Sequence, residues 1–225
     1  MIIPTDEYEQ RRHVFDMCRW INQTLTKMQS ESDFDRSYFE RKGLNVKQFI
    51  EEAIPIACLG LHFYRPPDDV YVRCLAGNQP FDAELEVSGF RSIGIKVEAT
   101  TIETNDSTLR RQSLSRHGFA YSFGPIGKDG EQIVSEPEMA DLMAEYEQWT
   151  NLAFQRYLLK VAKYDRNTAI LVYLDTPLRL PVDARSNLLR RTQEHLSNQR
   201  PKVYGVYYCY KSDYVIDGIR SSDVE

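Results

Sequence analysis

The four cysteines of this 225-residue chain, Cys18, Cys58, Cys74 and Cys209, stand far apart and form no C-x-x-C pair. A secreted scaffold held by disulfides would carry denser cysteines, and MIIPTDEYEQRRH turns charged by Asp6 without an apolar leader stretch. A reduced, cytoplasmic protein is the expectation. The four histidines are equally scattered, so neither residue type offers the spacing of a structural zinc site. Long apolar runs are missing as well. None approaches the roughly eighteen residues of a membrane span, and no membrane partner is expected. There is no HExxH, no GxSxG and no recognisable cysteine nucleophile motif, which leaves serine or cysteine hydrolase chemistry without support. Positive charge is in deficit: 28 Lys and Arg against 33 Asp and Glu give a net charge of −5. That balance argues against coating nucleic acid by bulk charge, while leaving a local basic patch open.

What is present suits an ordinary folded domain. Hydrophobic residues make up 42%, and fourteen tyrosines with ten phenylalanines supply a sizeable core. No internal repeat or Pro/Ser-rich linker divides the chain, so residues 1–225 are expected to form one domain. Within it we distinguish an N-terminal helical extension over 1–43, a core over 44–118, and a long helix with the remaining sheet over 119–225.

The periodicity predicts the elements in turn. Asp6 as N-cap, with Glu9 three residues on, opens a helix to about Met28, with Val14, Cys18, Ile21 and Leu25 on its apolar stripe. A short helix around Tyr38 ends at Gly43. Asn45 with Gln48 caps a helix over 46–64 that buries Val46, Phe49, Ile50, Ala53 and Ala57, and Pro55 should kink it. Three β-like runs follow: VYVRCLA (70–76), FDAELEV (81–87) and SIGIKVEAT (92–100). NDSTLRRQSLSRHG reads as a capped helix stopped by Gly118. The glycine-rich stretch FGPIGKDG lacks the GxxxxGK[ST] pattern of a phosphate loop and is read as a loop. Ser135, Pro137 and Glu138 start a long helix to about Tyr164, with Met139, Leu142, Met143, Tyr146, Trp149, Ala153 and Tyr157 on its buried side. TAILVYL (168–174) is a buried-type strand, LPVDAR opens a helix through about Leu196, KVYGVYYCY (202–210) is the final strand, and SSDVE frays. The order specifies an α/β (α+β) fold: a mixed central sheet with an antiparallel meander, flanked by helices.

One face of the meander carries Asp82, Glu84 and Glu86 on one strand and Lys96, Glu98 and Thr100 on the next. Carboxylates so close repel unless a metal, a proton or a lysine neutralises them. The same alternation also describes a sheet with one wet face, in which these are ordinary surface pairs. Both readings stand at this level.

A glutamate-bearing helix, then a meander with Asp82 on its second strand and Glu98 on its third, resembles the restriction-endonuclease-like PD-(D/E)XK superfamily. Pro80-Phe81-Asp82 stands for its PD element with one residue inserted, and Glu98-Ala99-Thr100 for its (D/E)XK element; the resemblance covers about residues 46–118. It implies a Mg²⁺-dependent phosphodiesterase acting on DNA. Asp82 and Glu98 would be the metal ligands, and the helix glutamate, Glu51 or Glu52 with Glu52 preferred, would assist through water. Thr100 departs from the pattern by standing where the family has lysine. Lys96, two residues before Glu98 on the same face, is the first substitute and Lys160, on the long helix, the second. Gln112 resembles a glutamine that some members place near the site, and Arg110, Arg111 and Arg116 would hold the nucleic-acid backbone. A second basic group, Arg185, Arg190, Arg191, Arg200 and Lys202, reads equally as solvated helix face. The missing motif lysine and the acidic balance open the alternative of a catalytically inactive fold serving as a binding or assembly module in a phage or defence system, with a homodimer or another protein as partner.

Overall fold

The protein was analysed as a computed structural model that describes residues 1–89, 92–121, 124–136, 141–164, 167–176 and 178–221. The N-terminal region folds as α1 (Thr5–Tyr8), β1 (Arg12–His13), α2 (Val14–Ser30) and α3 (Phe34–Phe39). The predicted single helix from Asp6 to Met28 is thus broken at Glu9–His13. Arg12 is the physical reason. Its buried guanidinium donates to the carbonyls of Glu7 (2.6 Å) and Gln10 (3.0 Å) and lies 4.4 Å over the Trp20 ring. Arg12 and His13 then pair in antiparallel register with Val72 and Tyr71.

A short α4 (Val46–Gln48), a π-helical turn (Phe49–Ala53) and α5 (Ile54–Phe63) make up the predicted kinked helix. Asn45 does not cap it by its side chain. Its amide donates to the Ile3 carbonyl at 2.9 Å and to Thr5 Oγ1 at 3.2 Å, and its backbone sits in the left-handed region. The π turn lies immediately before Pro55, which has no N–H to offer the Glu51 carbonyl four residues earlier. That carbonyl accepts from Thr101 Oγ1 instead, at 3.2 Å.

The meander follows as β2 (Asp69–Cys74), β3 (Ala83–Ser88) and β4 (Ile93–Ile102), paired antiparallel as predicted. Thr104 caps α6 (Asn105–His117) by accepting from Ser107 N–H, and Gly118, at φ +74°, ends it in the left-handed region that favours glycine. The stretch read as a glycine-rich loop is partly a hairpin, β5 (Ile126–Asp129) and β6 (Gln132–Ser135). Its two-residue turn is Gly130-Glu131, with Gly130 at φ +61° in the first position, where glycine is favoured. The long helix α7 runs over Leu142–Val161, with Asp141 as its cap, so Ser135 ends a strand and does not start the helix. Pro137, Glu138 and Met139 lie outside the described residues, as do residues 222–225 of the predicted frayed tail. Leu142 and Met143, expected inside, are exposed, whereas Trp149, Ala153 and Tyr157 are buried.

Then come β7 (Thr168–Leu174), α8 (Val182–Gln199), β8 (Gly205–Tyr210) and β9 (Val215–Arg220). β9 was not anticipated, because Asp217 and Gly218 are poor strand formers. Gly218 is required there: a Cβ would stand 2.2 Å from the Tyr207 ring. Among the described residues the main sheet has seven strands in the order β1-β2-β3-β4-β7-β8-β9. β4, β7 and β8 run parallel and the remaining pairs antiparallel.

The parallel centre is covered on both faces, which its apolar sequence requires. Ala169, Leu171 and Tyr173 pack with the layer of α2 and α5, and Ile170, Val172 and Leu174 pack with α7 and α8. On the outer strands one face is wet, and there Arg73 meets Glu84 at 3.8 Å and Arg11 meets Glu86 at 2.7 Å. For Glu84 and Glu86, the surface-pair reading is the one the structure bears out. No helix among the described residues is long and apolar enough to cross a membrane. Leu171 is fully buried at the centre of this arrangement. Leu171→Ala is expected to cost about 2–5 kcal/mol and to lower the urea midpoint accordingly, whereas exposed Glu84→Ala should stay within about 0.5 kcal/mol of the wild type.

Candidate functional site

Where β3 begins, at Ala83, β4 loses its partner on that side, and Asp82 fills the opening. Its N–H donates to the Val97 carbonyl at 2.8 Å, and its carboxylate Oδ2 accepts from the Ala99 N–H at 2.7 Å. The residue is therefore locked on the strand edge by backbone geometry. Glu98, between those two contacts, points to the α7 side and is buried. There its Oε1 forms an ion pair with Lys160 from the last turns of α7.

The π turn delivers the third acid. Its two adjacent glutamates diverge: Glu51 pairs with Arg41, while Glu52 Oε2 accepts from the buried Tyr8 hydroxyl at 3.4 Å. The choice between the two helix glutamates falls on Glu52, whose carboxyl feels the charge of Asp82 and, more weakly, of Glu98.

The electrostatics are those of an acid cluster short of cations. Burial, then Asp82, then Glu51 push the Glu52 carboxyl up to about 8. Burial, then Glu98, push Asp82 up to about 6, against the opposing pull of the Ala99 N–H and of Lys160. Tyr164, just beyond α7, is raised by burial and by the neighbouring Glu98 and Asp82.

The remaining sequence candidates make other contacts. Lys96 faces Glu84 across the β3–β4 ladder, and its ammonium lies 5.2 Å over the Phe81 ring. Thr100, in the position of the motif lysine, is buried. Arg110 donates to the carbonyls of Tyr121 and Gly124. Arg111 donates to the Phe39 carbonyl at 3.0 Å and pairs with Glu103 and Asp175. Gln112 Oε1 is buried without a hydrogen-bond partner, and Arg116 is exposed, reaching the Glu131 carbonyl at 3.4 Å. These four residues belong to α6 and to the region around Asp175, away from the contacts of Asp82. In the second basic group, Arg185 pairs with Asp217, Arg190 with Glu194, and Arg191 with Asn151. Tyr8 and Tyr164 carried no motif signal, since a tyrosine's role at a polar site depends on which buried acid it meets.

Among the described residues no group of three or more His, Cys, Asp or Glu side chains forms a ready metal cage. The donor set does fit a hard cation of the magnesium type, which takes one or two carboxylates and keeps several waters. Asp82 and Glu98 are oxygen donors whose mutual repulsion a divalent charge would relieve.

The raised carboxyls make a stability prediction. A group whose folded-state pKa lies above its unfolded value binds protons more tightly when folded, so its contribution is present at low pH and lost as pH rises through the folded value. For Glu52 the window runs from its ordinary 4.5 to about 8, and for Asp82 from 3.8 to about 6. In chelator-treated buffer the melting temperature should fall between pH 5 and pH 8, and Glu52→Gln should flatten the part above pH 6. Scanning calorimetry checks this, and a wild-type melting temperature independent of pH over that range would contradict the geometry.

No family model, curated protein or solved structure matches this chain.

Proposed function

We propose that the protein is a metal-dependent phosphodiesterase of the restriction-endonuclease-like kind, acting on DNA, with Asp82 and Glu98 as the Mg²⁺ ligands. The observation that carries this reading is the ion pair between Glu98 and Lys160 beside Asp82. It brings an ammonium from α7 to the acid pair that lacks the motif lysine at Thr100, so the role assigned first to Lys96 passes to Lys160. The element order supports the same reading: a glutamate-bearing helix, an antiparallel meander, a crossover, and β7 parallel to β4.

In this reading Asp82 is held at the strand edge by two backbone bonds, which presets one ligand oxygen. Bound there, the metal would supply an activated water and charge stabilisation at the phosphate. Lys160 keeps Glu98 oriented and offers its remaining donors to a phosphate oxygen or to the attacking water. Glu52, whose carboxyl is raised by burial and by Asp82, would assist through a water on the Asp82 side. The opposite reading, an inactive binding module, rests on Thr100 and predicts metal binding without cleavage.

Isothermal titration of Mn²⁺ should give saturable binding to the wild type that is lost in Asp82→Ala and Glu98→Ala. Plasmid cleavage in Mg²⁺ should then fall about 100-fold or more in Lys160→Met and change only a few-fold in Lys96→Met. Absence of Mn²⁺ binding to the folded wild type sinks the mechanism, and binding without cleavage of DNA selects the module.

A further inference from the structure

A cavity of about 480 Å³ lies where the three parallel strands finish. Thr104 follows β4, Asp175 and Thr176 follow β7, and Lys211 and Ser212 follow β8. The side of α6 that carries Ser107, Arg110 and Arg111 and the first half of α7 close it. None of its lining residues belongs to the Glu52–Asp82–Glu98–Lys160 cluster. The carboxyl ends of parallel strands in an open α/β sheet are a recurrent position for ligands, and this volume lies in the range of small-molecule sites.

The lining has two chemical halves. Leu114, Trp149 and Leu178 supply an apolar and aromatic wall. The floor is charged: the buried Asp175 carboxylate accepts from Lys211 through Oδ1, and from Arg41 and Arg111 through Oδ2. Both oxygens are thus occupied from within the chain. Glu51 and Glu103, the acids on the far sides of Arg41 and Arg111, do not line the cavity. Lys211, with a third of its side chain exposed, retains ammonium donors beyond the one spent on Asp175. Arg110 commits its donors to two carbonyls, and its charge forms no ion pair among the described residues. The cavity is thus lined by Lys211, Arg110 and Arg111 and by the acids Asp175, Asp106 and Glu145, and of these acids Asp175 has both oxygens taken.

We propose that this cavity is a binding site for a small organic phosphate of mononucleotide size, its phosphate on Lys211 and Arg111 and its ring against Trp149 and Leu178. A lone anion would leave the apolar wall unused, and a neutral ring would leave the cationic floor unused. Ser107, Thr176 and Ser212 add hydroxyls to the lining, which suit a sugar. The proposal stands independently of the phosphodiesterase reading.

The test is calorimetric titration of the full-length chain with adenosine 5′-monophosphate, adenosine and inorganic phosphate, in chelator so that no metal site contributes. The monophosphate is expected to bind one-to-one with a Kd below about 1 mM, and adenosine and phosphate each at least about tenfold more weakly. Lys211→Met should weaken the monophosphate about tenfold or more, and Asp82→Ala should leave it unchanged. If Lys211→Met fails to fold, exposed Gln148→Glu on the rim should weaken binding several-fold without touching the buried network. Two results overturn the proposal: no heat from the monophosphate with the folded wild type up to about 10 mM, or equal affinity in the wild type and a folded Lys211→Met. Loss of binding in Asp82→Ala would also overturn it, by moving the ligand to the acid cluster.

Discussion

Asp175 follows β7, a strand buried along its whole length, and holds three cations on one carboxylate, drawn from the segment after α3, from α6 and from the end of β8. Burial alone would raise its pKa, and Lys211 and Arg41 more than reverse that, so the group is held below the ordinary carboxylate range. A buried charge of this kind is tolerable only while its partners stay in place, and removing one leaves the others uncompensated. The reach of the network is what gives it consequence. Arg41 bridges from Asp175 to Glu51, and this anchors the π turn from one side. With Glu51 spoken for, the adjacent Glu52 carries the turn's remaining carboxyl to Tyr8 and Asp82.

The two polar centres of the molecule are therefore linked and electrically different. Around Asp175, the cations Arg41, Arg111 and Lys211 form ion pairs with Glu51, Glu103 and Asp175, and Lys211 keeps a third of its side chain exposed. Around Asp82, burial and the neighbouring acids raise Glu52 and Asp82, and Lys160 pairs with Glu98 and pulls against the shift of Asp82. The first centre stabilises the fold's connections. The second holds unneutralised carboxyls in a half-buried setting, which raises their pKa and creates the demand for a proton or a metal. Perturbed acids next to a positioned lysine are the pattern by which functional sites are recognised, although structural networks perturb pKa values too.

Much of the layout was legible in the sequence because it rests on local pattern. The meander alternates, β7 is a continuous apolar run, and α6 has a capping start and a stop at Gly118. Failures came where one long-range contact outweighed local pattern. Arg12 breaks a helix because its guanidinium finds two carbonyls and an aromatic ring, and β9 forms because Tyr207 packs where Gly218 leaves space. Asp82, Glu98 and Glu52 were marked by their place relative to the meander and the helix before it. The contact of Lys160 with Glu98 was not legible, because a partner 62 residues downstream is brought in only by the crossover to β7.

That crossover separates the acids from their lysine in the folding process as well. Asp82 and Glu98 belong to a local hairpin, whereas Lys160 reaches them only when β4 and β7 pair side by side across a long intervening segment. Closing such a loop costs entropy before any contact repays it. Any partly folded species lacking the β4–β7 pairing thus presents the carboxylates without their ammonium. The complete polar constellation is consequently a property of the closed tertiary structure alone.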